Sequence, residues 1–218
     1  MVGLRVGALL PVLALVAGCA VSVTGTAVLP GDIIERVILT QNDFPPGVKY
    51  ERREKPDAAS PARPNPYTMR SVPEGCADGM TAVVREAAAA GLGRDSDYSV
   101  WYQNARFSIG VHTRPLDLER VAEVAERCAR YRAFFGAENS DGLDITTTPI
   151  DSPRPGGLAY RQTLGSSNPV YMYFENVGSM SVSAMMLPLG DDRVSVSAEL
   201  PQTFLEVAAR QAERVGSS

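Results

Sequence analysis

The sequence predicts an α+β fold: an antiparallel sheet of about five to six strands with helices packed on one face, two of the helices joined by a disulfide. Three observations carry this reading. The second half of the chain is a series of short segments in which apolar and small polar residues alternate. The turns between them are a few residues long, which favours antiparallel neighbours over crossovers. Three other stretches repeat apolar residues at helical spacing.

The chain begins with one positive charge, Arg5, and an apolar run over 6–17 broken only by Gly7 and Pro11. That run is shorter than the roughly 20 residues needed to span a bilayer and fits a secretory signal. It ends Leu15, Val16, Ala17, Gly18, Cys19, which resembles the lipobox of bacterial lipoproteins. The resemblance implies a diacylglyceryl group on the Cys19 sulfur, cleavage before Cys19 and acylation of the new amine. Two or more chains hold a protein at a membrane where one does not. The alternative is a plain signal peptide with Cys19 there by chance. The division is then a signal at 1–18, a lipidated N-terminus and tether at 19–31, and one extracytoplasmic domain at 32–218. The tether is small and hydroxylated, without charge before Asp32, and stands the domain off the membrane.

Net charge is −4, and loss of Arg5, the one charge in 1–18, takes it to −5 (−4 − 1). Such a chain lacks the basic excess of a nucleic-acid binder, and attachment to a membrane falls to lipid rather than to a polybasic patch. Of three cysteines, Cys19 is claimed by lipid, which leaves Cys76 and Cys128 for each other in an oxidising compartment. The alternative is two buried free thiols.

Within the domain, Asp32 is placed to cap a short helix over 33–39, followed by a turn-rich passage to Gly47 anchored by Phe44. Prolines at 56, 61, 64, 66 and 73 make 56–73 a surface loop that holds neither a helix nor a central strand. Pro61, Ala62, Arg63 and Pro64 are its candidate partner-binding motif. A helix is expected from Cys76 to about Ala90, with Cys76, Met80, Val83 and Ala87 on its buried stripe. A β-rich region follows over 98–113, where Phe107, Ile109 and Val111 alternate with polar or small residues. A second helix is expected over 117–135, its apolar face running Leu118, Val121, Val124, Ala125, Cys128, Tyr131 and Phe135. Strands are expected at 144–150, 158–164, 170–176, 179–187 and 193–200, and a closing helix at 202–215.

This order of elements, with a helix bearing Cys76, the strand region around Trp101, a helix bearing Cys128 and then a run of strands, resembles small mycobacterial lipoproteins. It is also similar to the extracellular sensor domains of mycobacterial receptor serine/threonine kinases. The resemblance implies a helix-backed antiparallel sheet with a cleft thought to take a ligand. Those domains carry two disulfides, and one is possible here.

Chemistry is sparse. His112 is the single histidine and reads as a surface residue near the end of a strand. A catalytic triad needs it beside a serine and a carboxylate, and no Gly-x-Ser-x-Gly elbow presents such a serine. No zinc or calcium pattern is complete: Asp95 with Asp97, and Asp141 with Asp144, read as turn and capping residues. No cofactor is expected. The more suggestive group is Trp101, Tyr102, Tyr171, Tyr173, Met180 and Met186, candidate walls of an apolar ligand cleft, since methionines adapt to irregular apolar ligands; core packing is the plainer reading of them. The functional expectation is a membrane-anchored, non-enzymatic lipoprotein domain that binds an apolar ligand or an envelope protein, as carrier or sensor. Its alternatives are a structural interaction protein working through the proline-rich loop, and an envelope hydrolase. The hydrolase requires a pair of acids in one pocket or a serine beside His112.

Overall fold

The structure, a computed structural model, describes residues 30–53, 70–90, 95–134, 141–165, 169–189 and 197–217. The signal, the lipobox with Cys19, most of the tether and the proline-rich stretch over 54–69 lie outside the described residues. So do Gly91 to Gly93 and positions 193–196 of the last expected strand.

The elements run α1 (Pro30–Val37), β1 (Lys49–Arg53), β2 (Arg70–Val72), α2 (Gly79–Ala90), β3 (Ser96–Tyr102), β4 (Ala105–His112), α3 (Leu118–Arg127), β5 (Arg130–Phe134), β6 (Leu143–Ile150), β7 (Leu158–Leu164), β8 (Val170–Val177), β9 (Met180–Pro188) and α4 (Leu200–Gly216). All nine strands form one sheet, in the order β1-β3-β4-β9-β8-β7-β6-β5-β2, with every pairing antiparallel.

Two parts of the expected fold are corrected. The sheet has nine strands rather than five or six, and its helices cover both faces rather than one. The extra strands come from three places. β1 is Lys-Tyr-Glu-Arg-Arg at one sheet edge, and β2 is three residues at the other. Short, charged strands are how sheet edges resist pairing with other chains, and they give no apolar alternation to read. β5 lies in the stretch expected to finish the second helix. α3 stops at Arg127, with Cys128 as its C-cap, and from Arg130 side chains alternate exposed and buried along the chain. Tyr131 keeps helical spacing with Cys128, but it reaches the core from a strand.

The placement of the helices follows from β8 and β9, which are apolar on both faces. In β8, Tyr173 belongs to a cluster with Phe107, Phe204, Leu205 and Ala208, packed under α1 and α4. Its neighbours Met172 and Phe174 belong to a second cluster with Met80, Val83, Val121 and Val124, under α2 and α3. In β9, Val182, Ala184 and Met186 serve the first cluster, and Met185 and Leu187 border the second. Adjacent strand residues point to opposite faces, so the two clusters lie on opposite sides of one sheet.

On the α4 face, Gln211 is fully buried and locks α4 to the end of α1. Its side-chain oxygen accepts from the Leu39 N–H at 3.0 Å, and its amide nitrogen donates to the Val37 carbonyl at 2.8 Å. That satisfies backbone groups that a helix end leaves open. On the other face, Cys76 and Cys128 form the disulfide, with Cα atoms 5.5 Å apart. Cys76 precedes α2, which begins at Gly79, so the bond joins the entry to α2 with the end of α3. Gly79 allows the two helices to meet there: a Cβ on it would lie 2.6 Å from the Val124 side chain.

Closing a loop of 52 residues stabilises the fold by about 4 kcal/mol in the chain-entropy model. Cys76→Ser is therefore expected to lower the melting temperature by roughly 10 °C in oxidising buffer. Reductant should produce a similar drop in the parent and none in the variant. A melting temperature unmoved by either would remove the disulfide from the account.

Candidate functional site

The four helices do not cover the sheet evenly. α4, with α1 beside it, sits over β4, β8 and β9 on one face, while α3, with α2 beside it, sits over β6 and β8 on the other. Where α2 ends its cover, β4 and β9 continue beside it, and a groove of about 330 Å³ opens. One wall is α2, through Thr81, Val84, Arg85 and Ala88. These residues recur at i, i+3, i+4 and i+7, a single helical stripe adjoining the stripe of Met80 and Val83 that faces the core. The floor is β4 and β9, with Met185 and Leu187 as its apolar part and Phe174 of β8 at the back.

Polar groups stand at defined places on this floor. Along β4, alternation puts Arg106, Ser108, Gly110 and His112 on the groove side, while Phe107, Ile109 and Val111 enter the α4-side core. Arg106 and His112 are thus about 20 Å apart along the strand. The Nε atom of Arg106 and the Oδ1 atom of Asp97, which also lines the groove, are buried and have no hydrogen-bond partner among the described residues. An unsatisfied buried polar atom costs roughly 1–3 kcal/mol.

At the other end, His112 is buried rather than on the surface, with 5% of its area exposed. Its Nδ1 lies 3.1 Å from Asp95 Oδ2, and its Nε2 lies 2.8 Å from the Ser183 hydroxyl. Asp95 is buried as well, and its Oδ1 accepts from the N–H of Thr113 at 3.1 Å and from the Thr113 hydroxyl at 3.3 Å. A carboxylate only accepts, so the Nδ1 proton points at Asp95. In the tautomer that donates from Nδ1, Nε2 is the acceptor for the Ser183 hydroxyl. The three residues come from the entry to β3, the end of β4 and the middle of β9.

Gly110, paired with Ser183 across the β4–β9 ladder, makes this approach possible. A Cβ there would lie 3.0 Å from His112 Nε2 and 3.1 Å from Ser183 Oγ. A side chain at this position would collide with both atoms, so the ring and the hydroxyl pack over the glycine.

The residues singled out in the sequence fall elsewhere. Tyr173, Met180 and Met186 are buried in the α4-side cluster, and Tyr102 and Tyr171 pack against it. Tyr102 stacks on Phe107, with ring centroids 5.1 Å apart. Trp101 lies on the groove side of β3 under the Lys49 ammonium, which is 4.2 Å from its ring centre. Sequence reasoning did not join His112 to Asp95 and Ser183, which are 17 and 71 positions away. The available signal was that Ser108, Gly110 and His112, and Ser181 and Ser183, stand at alternate positions between apolar residues. Asp144, expected as a turn or capping residue, lies in β6 and accepts two hydrogen bonds from Arg132, of 2.8 and 3.1 Å. Among the described residues no group of three or more His, Cys, Asp or Glu is placed to hold a metal.

No family model matches the chain, and no curated protein does. Two solved structures are similar in fold. An uncharacterized protein of Mycobacterium smegmatis, the Rv0999 ortholog, aligns over 86% of this chain and 95% of its own at 11% identity, with a TM-score of 0.48. The extracellular domain of PknH from Mycobacterium tuberculosis aligns over 78% of this chain and 84% of its own at 10% identity, with a TM-score of 0.49. No residue role passes from either at this level of similarity.

Proposed function

We propose that this chain is a lipid-anchored envelope protein whose folded domain binds an amphiphilic ligand in the groove between α2 and the β4–β9 ladder, as a carrier or sensor-like module. The observation that carries the reading is the mismatch within the groove. Its floor and wall are largely apolar, yet it holds a buried guanidinium nitrogen and a buried carboxylate oxygen with no hydrogen-bond partner among the described residues. A ligand with an apolar body and a head that both donates and accepts hydrogen bonds supplies what each part lacks. A hydroxyl- or amide-bearing lipid has this chemistry.

The envelope location is supported by the lipobox-like run ending at Cys19 and by the Cys76–Cys128 disulfide, which suits an oxidising compartment. Acyl chains on Cys19 would hold the domain beside a membrane, where amphiphiles are abundant. The core positions of Tyr173, Met180 and Met186 favour a structural role for them, and Met185 is the methionine that faces the ligand.

Two measurements test the halves of this reading. Cys19→Ala should leave the protein out of the membrane fraction of its host, and unchanged partitioning would contradict the anchor. Titration with a fluorescent fatty amide should show saturable binding to the parent. Met185→Glu sets a charge on the apolar floor and should weaken that binding at least roughly tenfold, about 1.4 kcal/mol. Equal affinity in parent and variant would place the ligand elsewhere.

A further inference from the structure

The buried chain Asp95–His112–Ser183 is more than the binding reading requires. A lone serine in a sheet needs no imidazole, and a buried imidazole is satisfied by one carboxylate and one hydroxyl anywhere. Here the hydroxyl is the member that borders the groove. Ser183 and His112 both line it, while Asp95 stands behind the ring with its second oxygen fixed by Thr113. Hydroxyl, ring and carboxylate are in series at 2.8 and 3.1 Å. Gly110, lacking a side chain, lets the ring and the hydroxyl lie together over its backbone.

We infer that Ser183 is an acyl acceptor: a nucleophile for ester-bearing amphiphiles held in the groove, with His112 as its general base and Asp95 as the positioning residue. The inference rests on the groove being the ligand site and adds a reaction to it. Ser183 Oγ bonds to the ester carbonyl carbon as its proton passes to His112 Nε2. The tetrahedral adduct collapses, the ester C–O bond breaks, and the departing alkoxide takes that proton. Water then repeats the sequence on the acyl-serine and releases the acid. Ester and water become acid and alcohol, with no change of oxidation state.

Geometry also sets the pace. The Ser183 N–H lies in the ladder of a strand paired on both sides, with Gly110 and with Phe174. It is not free to receive an oxyanion, and loss of one such donor costs roughly 10²–10³ in rate. A covalent trap is therefore a better reporter than turnover.

The full chain is incubated with a long-chain alkyl fluorophosphonate, which loses fluoride to a reactive serine, and is read by intact mass and peptide mapping. The expected result is one adduct, on Ser183, absent in Ser183→Ala and slowed at least tenfold in Asp95→Asn. No adduct in a parent that binds the amide overturns the nucleophile and leaves the binding reading standing. An adduct on another serine, or labelling undiminished in a folded His112→Gln, overturns it as well. Failure of both labelling and amide binding removes the groove as a ligand site altogether.

Discussion

The structure depends on one constraint: β8 and β9 are apolar on both faces, so neither face of the sheet centre tolerates water. Tyr173 and Met186 on one side and Met172 and Phe174 on the other are each less than one-tenth exposed. The described helices cover the two sides of the sheet in pairs, α1 with α4 on one and α2 with α3 on the other, and both pairs meet β8. The groove is the consequence. It forms where the cover of α2 ends but the apolar edge of β9 does not, so Met185 and Leu187 stay partly exposed beside the polar row of β4.

Fixed points hold the two halves in place. On the α4 side Gln211 bridges to the end of α1, a bond whose loss would bury unpaired backbone groups. On the α3 side the disulfide and the close contact at Gly79 hold α2 against α3. Since α2 is also the groove wall, the bond between Cys76 and Cys128 ties the redox state of that pair to the shape of the site. A further anchor lies on the α4 side: Glu175 accepts from Tyr173 and from Arg154, whose Nε is 3.0 and 3.1 Å from its two oxygens. Burial, then the neighbouring carboxylate, push the Tyr173 hydroxyl well above its ordinary range.

Much of this fold was legible because alternation is a local signal. Met180, Val182, Ala184 and Met186 spaced by two, and the turn residues after each strand, placed β6 to β9 within a residue or two. The helical stripe of α2 and the closing helix were legible for the same reason. Three things were not. Charged edge strands such as Lys49–Arg53 carry no apolar period. The break at Cys128 has neither Gly nor Pro, and Tyr131 keeps helical spacing, so a helix and a helix-plus-strand read alike. Which face a strand residue serves depends on what packs there, so Tyr173 and Met186 looked like cleft walls and are core. The site itself joins positions 95, 112 and 183, a juxtaposition that only the register of β3, β4 and β9 creates.

The central claim is that ligands meet this domain on the α2 side of the β4–β9 ladder. Its most direct test is photo-crosslinking with a diazirine-bearing fatty amide, with the modified residues mapped by tandem mass spectrometry. The account predicts adducts confined to the α2 stripe from Thr81 to Ala88 and to Met185 and Leu187. Adducts concentrated instead on Met180, Met186 and Phe204, beneath α4, would contradict it and return the ligand to the opposite face of the sheet.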